Sequence, residues 1–469
     1  MIPFFPKQIA NKAIIVYLAS IFTVSIIYSS FAMSFGYILM GLTFVLGFFL
    51  IVSNLPNNWL SLTEKRVVTI IFILAFSLRL IWVISSYFYY TKVNGLPFEF
   101  GAADSLGYHE EASWLSECSW NFIWSWYFGS KAHGISDLGY PLYLTLLYKL
   151  FGINVFLPRL IKVFISSFSC VLIYRLSSRC FGEGPGRIAG IMCALMPNLI
   201  LYCGYHLKET EMLFLEIAFL ERMDYLLRAK KWSFINILVP ILLAGSLFFF
   251  RTVLGAAAVF AFSTAVLLSN TSSMKKGWKR AAIIGWSLMA LVFVGGGTVI
   301  TEVEALWEER EEHQEVKRYE QTLRGNQWAK YATGTVMAPM AFVLPFSTMV
   351  DVDQQYGQQE KHSGNYIRNF MGFFAILAIY EAVRRKQWRD FALIGSFVIA
   401  YLGVISLSGF ANSERFLLPG LPCLIMMWAY GISSLRTKTY RLLTPWCIIV
   451  LAMELGWAYF KLGSRGLFI

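Results

Sequence analysis

An all-α polytopic membrane protein is the fold class that this sequence predicts, and three observations carry the prediction. Of 469 residues, 57% are hydrophobic and 14% charged, where soluble domains carry roughly a quarter, and the mean hydropathy is +0.57. Apolar runs of about 17–25 residues, long enough to cross a bilayer as helices, recur along almost the whole chain. Short basic clusters separate the runs: Arg175 and Arg179; Arg228, Lys230 and Lys231; Lys275, Lys276, Lys279 and Arg280; Arg384, Arg385, Lys386 and Arg389; Arg436, Lys438 and Arg441.

In order, the runs place spans near 12–32, 36–53, 66–88, 155–177, 187–205, 208–227, 233–250, 252–270, 281–300, 369–384, 391–409, 416–434 and 443–460. The pair on either side of Arg251 is the least separated, so the expectation is about 11–13 transmembrane helices in one membrane-embedded domain over 1–469. Lys7 and Lys12 precede the first run and no small-residue cleavage site follows, so the first helix is expected to stay uncleaved. Basic clusters mark the cytoplasmic side. That rule puts the N-terminus inside and residues 89–154, 301–368 and 410–415 outside.

The formal charge of +12 is explained by these clusters, for which anionic membrane lipid is a sufficient partner. No recognition motif accompanies them, so nucleic acid is not expected as a partner. Five of the seven cysteines, Cys170, Cys193, Cys203, Cys423 and Cys447, lie inside apolar runs and read as small buried hydrophobes rather than as a disulfide or metal framework. No internal repeat or low-complexity tract is visible, which disfavours a transporter built from inverted halves.

The first large outer loop combines "SWLSECSWNFIWSWYFG" with "GYPLYLTLLYKLFG", which is apolar but too short to span. Indole and phenol rings favour the headgroup region, so both stretches are expected to form juxtamembrane helices that roof or flank a membrane-level cavity. An ordinary aromatic belt would account for the tryptophans as well. The second outer loop holds "EVEALWEEREEHQEVKRYEQ", and its "MAPMAFVLPFST" part is expected to return to the interface and supply acceptor contacts.

Ionisable residues gather on the outer side. Asp104 follows Gly101, Ala102 and Ala103 at the start of a helical stretch, with Tyr108 and Glu111 on the same face at i+4 and i+7. A carboxylate there could take a proton from a hydroxyl or amine nucleophile; it could equally cap the helix. Glu110 and Glu111 also fit a solvated face, and His109 a polar interfacial position. A divalent metal held by Asp104, His109 and a glutamate is conceivable, though the spacing matches no established pattern, and the Asp351–Asp353 pair is a short pattern of the kind that arises by chance.

"CGYHLKETEMLFLE" sets His206, Lys208, Glu209 and Glu211 where one apolar run ends outside and the next begins. Charges at membrane level are costly and usually face an interior, a partner or a pathway. Lys208 could meet a phosphate that Glu209 orients, or the segment could be an interfacial turn with snorkelling side chains. Arg251 and Arg415 stand at the outer ends of other spans, and guanidinium groups grip phosphate through paired hydrogen bonds. Three cations at one leaflet suit the phosphate of an anionic lipid carrier.

These segments together resemble the GT-C superfamily of polyprenyl-phosphate-dependent membrane glycosyltransferases, and within it the protein O-mannosyltransferases and lipid A aminoarabinose transferases. The likeness consists of "ADSLGYHEEA", "GYPLYLTLLYKLFGINVFLPRLIKVFISSFSCVLIYRLSSRCFG", "LKETEMLFL" and "RFLLPGLPCLIMMWAYGI", and covers roughly residues 90–435. The resemblance implies transfer of a sugar from a polyprenyl-phosphate donor to a lipid, glycan or protein acceptor on the outer face, with inversion. Asp104 matches the acidic residue of the family's first outer loop and would be the base, with Lys208, Arg251 and Arg415 as phosphate contacts. Tyr108, His109, Glu111 and Glu209 would support them or the acceptor, and no cofactor is required with certainty.

The chain departs from the family in two ways. Three spans precede the catalytic loop where many relatives have one, and Ser105 stands where the O-mannosyltransferases have a second acid after the aspartate. The competing readings are a transporter or flippase of lipid-linked sugars and an O-antigen polymerase or ligase using a lipid diphosphate. A transporter should hold its key charges near mid-membrane, whereas these lie at the outer boundary. The compact outer loops point to a bacterial inner membrane with the site facing the periplasm.

Overall fold

A computed structural model describes residues 4–129, 138–229, 233–268, 323, 340–352, 357–407, 413–463 and 466–467. The expected span at 281–300, the acidic stretch at 302–321 and Asp353 lie outside the described residues. Among those described, the secondary structure is helical, with one isolated bridge between Ala32 and Val350.

The helices run α1 Lys7–Ile27, α2 Phe35–Ser53, α3 Glu64–Asn94, α4 Ala103–Glu117, α5 Trp120–Gly129, α6 Gly139–Phe151, α7 Phe156–Phe181, α8 Glu183–Leu195, α9 Pro197–Gly204 and α10 Glu209–Arg228. After them come α11 Phe234–Phe250, α12 Thr252–Leu268, α13 Gln358–Arg384, α14 Ala392–Leu407, α15 Glu414–Leu417, α16 Leu421–Ser433, α17 Thr437–Tyr440 and α18 Leu443–Gly463. Among the described residues, eight helical stretches are long and apolar enough to cross a membrane, or nine if α8 and α9 are one span bent by 42°. Apolar side chains such as Phe22, Ile81 and Phe88 stay more than 60% exposed on the outer faces of the bundle, as lipid-facing helices require.

The bend has a cause in the sequence. Pro197 has no N–H, so it leaves the Cys193 carbonyl unbonded, and the buried Arg79 of α3 fills the gap by donating to Cys193 O at 3.2 Å and Ala194 O at 3.0 Å. Close helix crossings are made by glycine: a Cβ on Gly364 would overlap the Asn198 side chain, and one on Gly431 the Phe374 carbonyl.

Two expectations are refined. The expected span from 369 begins at Gln358, because the polar stretch "QQEKHSGNYIRN" continues the same helix inside the bundle rather than closing the outer loop. The part of "MAPMAFVLPFST" that is described goes deeper than an interface: residues 343–350 are buried, and Asn369 Nδ2 donates to Val343 O at 2.6 Å and Pro345 O at 2.9 Å. Extended backbone away from water needs such partners.

Gly95, in the left-handed conformation at φ 75°, ends α3 and turns the chain into the loop expected on the outer side. There α4, α5 and α6 form the expected loop helices. Trp114, Trp120 and Trp124 are exposed, and Trp126 packs edge-on to Trp114 with ring centroids 5.0 Å apart.

Candidate functional site

Four segments distant in sequence meet at one end of the bundle. Asp104 is in the first turn of α4, whose N-cap is Ala102 with no side-chain capping bond, so Asp104 does not spend its carboxylate on the helix. Arg415, in α15, joins two acids: its Nη1 donates to Asp104 Oδ2 and its Nε to Glu209 Oε1. The Asp104 side chain is 57% exposed, whereas Glu209 is fully buried.

Arg251 reaches the same carboxylate from the junction of α11 and α12. Its extended backbone (φ −164°, ψ 111°) breaks what would otherwise be one continuous apolar passage. The guanidinium lies 4.5 Å over the Phe416 ring, Nη1 donates to the Tyr401 hydroxyl at 3.4 Å, and Nη2 is 3.9 Å from Glu209 Oε1. Glu209 is the first residue of α10, where the helix N-terminus favours a negative charge. Its Oε2 has no hydrogen-bond partner among the described residues.

Lys208 precedes α10 in the turn after α9 and is only 2% exposed. Burial, reinforced by Arg251 and Arg415 and opposed by Glu209 and Asp104, lowers its pKa to about 7. Near neutrality it therefore holds its proton loosely, and an arriving anion would restore it. Lys208, Arg251 and Arg415 all act electrostatically on Glu209, so the three cations expected at one leaflet share one acid.

The supporting residues separate. Tyr108 is brought to the cluster: it faces Arg415, Glu209 and Asp104, and burial raises its pKa. Glu111 is turned away, accepting from Trp126 Nε1 of α5 at 3.4 Å. His109 joins a chain inside the loop, its Nδ1 2.9 Å from the Tyr148 hydroxyl, which is 3.1 Å from Nε2 of the buried His206. Burial lowers the pKa of both imidazoles, and Lys162 and Arg159 add to the effect at His206. Among the described residues no group of three or more His, Cys, Asp or Glu is placed to hold a metal ion, and Asp351 accepts from Gln359 at 2.6 Å.

A cavity of about 230 Å³ opens beside the Asp104–Arg415 pair, and its lining includes Glu99, Tyr202, Tyr205, Glu360 and Lys361. Sequence reasoning missed the last two. Glu360 accepts from the hydroxyls of Tyr90 and Tyr205 at 2.8–2.9 Å. Lys361 is 3.7 Å from Glu414, which accepts from Asn198 at 2.5 Å and Tyr202 at 2.8 Å. The signal available was two adjacent charges shortly before an apolar run at an outer boundary, the same signal that identified Arg415.

No family model and no curated protein matches the chain. Solved structures do. ArnT from Cupriavidus metallidurans bound to undecaprenyl phosphate is similar at 12% identity and a TM-score of 0.46, covering 79% of this chain and 61% of that one. The archaeal oligosaccharyltransferase AglB from Archaeoglobus fulgidus, in complex with an inhibitory peptide and a dolichol-phosphate, is similar at 13% identity and a TM-score of 0.44, covering 86% of this chain and 55% of that one. The chain spans less than two thirds of either.

Proposed function

We propose that the protein transfers a glycosyl group from a polyprenyl-phosphate-linked sugar to an acceptor at the outer face of the membrane, with Asp104 as general base. The observation that carries this reading is the convergence of Asp104 and Glu209 with Lys208, Arg251 and Arg415 beside an open cavity. One exposed carboxylate next to three cations supplies both halves of the reaction, a proton acceptor and a receptor for a phosphate leaving group.

The step balances as follows. The acceptor oxygen or nitrogen attacks the anomeric carbon, the bond from that carbon to the phosphate oxygen breaks, and the electron pair leaves with the polyprenyl phosphate. The acceptor proton passes to Asp104. Charge grows on the departing phosphate, where Arg251, Arg415 and a protonated Lys208 stabilise it more than in the bound donor, which is the condition for acceleration.

The Asp104–Arg415 ion pair adds a second element. While Arg415 donates to Asp104 Oδ2, that oxygen is engaged by the guanidinium rather than open to the acceptor's proton. A bound phosphate competes for the same guanidinium and would release Asp104 only when donor is present. The acceptor class among lipid, glycan and protein is decided by assay.

The test compares wild type with Asp104→Asn in nanodiscs, for turnover of a panel of radiolabelled polyprenyl-phosphate sugars and, separately, for donor binding. Loss of turnover by about 10²–10⁴-fold with binding intact supports the base. Retained turnover places the base elsewhere. Wild type that binds the lipid and moves it across the bilayer without consuming it with any acceptor would favour a transporter.

A further inference from the structure

We infer that Lys162, a residue of α7 outside the proposed catalytic cluster, is a positioning residue that clamps the turn at 205–211 and so fixes where Lys208 and Glu209 stand. The inference rests on the reading of Lys208 and its neighbours as the donor-phosphate site.

Lys162 is fully buried. Its ammonium donates to Tyr205 O at 2.8 Å and to Leu207 O, and lies 3.6 Å from Glu211 Oε2. These three partners bracket Lys208 and Glu209 on both sides. The link from α9 to α10 is not helical, so the Tyr205 and Leu207 carbonyls lack helical partners and must find donors elsewhere. An ammonium has three donors, enough to satisfy two carbonyls and still face Glu211. The Tyr140 ring lies beneath it, 5.1 Å from Nζ.

Burying an ammonium in a membrane protein is costly unless it is paired. A neutral residue would complete α7 at less cost, but would leave the turn carbonyls unbonded. The turn is held also by Tyr148, whose hydroxyl lies between His206 and His109. His109 belongs to α4, the helix that carries Asp104. Lys162 thus supports a turn that is tied through a second contact to the helix of the proposed base.

The clamp predicts a property of Lys208 that a purely structural role would not set. Lys208 is kept buried among Arg251, Arg415, Glu209 and Asp104. If the turn loosens, Lys208 gains water and its affinity for a proton returns toward that of an ordinary lysine.

The test uses the full chain in nanodiscs with Lys162→Met and Glu211→Gln combined, so that no lone buried charge remains. Acetylation of Lys208 by acetic anhydride, followed against pH by mass spectrometry, reads its protonation without any donor. The double variant should raise the midpoint by about one pH unit or more, a tenfold change in proton affinity, while Glu211→Gln alone leaves it in place. Bare undecaprenyl phosphate at pH 6 should bind the double variant about tenfold more weakly. If the double variant does not fold, Lys162→Gln, which keeps a donor for one carbonyl, should show a smaller rise. An unchanged midpoint in whichever variant folds overturns the clamp. A raised midpoint in a protein whose wild type binds no polyprenyl phosphate upholds the clamp and removes the donor reading instead.

Discussion

The two ends of the helical bundle both carry ion pairs, but they are wired differently. Where α7 and α10 end, Arg179 meets Glu221 at 2.8 Å and Asp224 at 2.8 Å, and Arg228 meets Asp224 at 2.9 Å. Nearby in α13, Glu381 pairs with Arg384 and Arg385 at 2.9 Å, three and four residues on. These pairs are mostly within one helix or between two, with Arg436 also 3.7 Å from Glu381. At the opposite end one buried acid, Glu209, is shared by cations from three separate segments, Lys208, Arg251 and Arg415. An unbonded oxygen does not separate the two ends, since Glu209 Oε2 and Glu221 Oε2 both lack a hydrogen-bond partner among the described residues. Pairs confined to two helices fasten helix ends; a cluster gathered from three segments beside a cavity leaves room for a ligand.

Substitutions should separate the two ends, and Asp104→Asn is the largest expected effect, a turnover loss of about 10²–10⁴-fold without loss of the folded state. Next comes Arg251→Met, which on the proposed reading removes a charged hydrogen-bonding partner of the donor phosphate. Charge-assisted bonds contribute about 1.5–3 kcal/mol, so the dissociation constant for polyprenyl phosphate should rise roughly ten- to a hundredfold, by equilibrium binding.

Arg179→Met should have the opposite profile. It leaves Arg228 to hold Asp224, so a destabilisation of about 1–3 kcal/mol is expected in denaturation, with donor affinity unchanged in the protein that remains folded. A change in donor affinity would erase the distinction between the ends. The smallest effect is that of pH. Because Lys208 sheds its proton from about pH 7 upward, and an anion binds the protonated form better, donor affinity should weaken severalfold between about pH 6 and 8.5. The same titration on Arg179→Met should follow the wild-type curve.

Much of this was legible in the sequence because membrane helices declare themselves by composition and because charges beside apolar runs are few. Asp104, Lys208, Glu209, Arg251 and Arg415 were found on that signal, and the structure brings them together. Lys162 escaped because its significance depends on the carbonyls of a turn more than forty residues later, which no local pattern encodes. Glu360 and Lys361 escaped because a polar stretch with few apolar residues reads as loop, although packing inside the bundle makes it the first turns of α13. Glu111 illustrates the converse limit. Helical spacing puts it on the face of Asp104, but spacing along one helix says nothing of the neighbouring helix, whose Trp126 claims the carboxylate.

The buried stretch at 343–350 has a consequence for biosynthesis. Phe346 packs against Trp457 of α18 with ring centroids 5.3 Å apart, and Trp457 Nε1 donates to Thr348 at 3.3 Å. The same late helix meets α1, where Lys12 Nζ donates to Thr444 Oγ1 at 2.9 Å. A ribosome delivers α1 and the 343–350 segment long before α18, so both must wait in the translocon or the lipid for their native neighbour. Docking of α1 and of the 343–350 segment therefore waits for Leu443–Gly463, and a nascent chain arrested before residue 443 should leave both earlier segments open to protease or to cysteine-directed labels that the docked segments exclude.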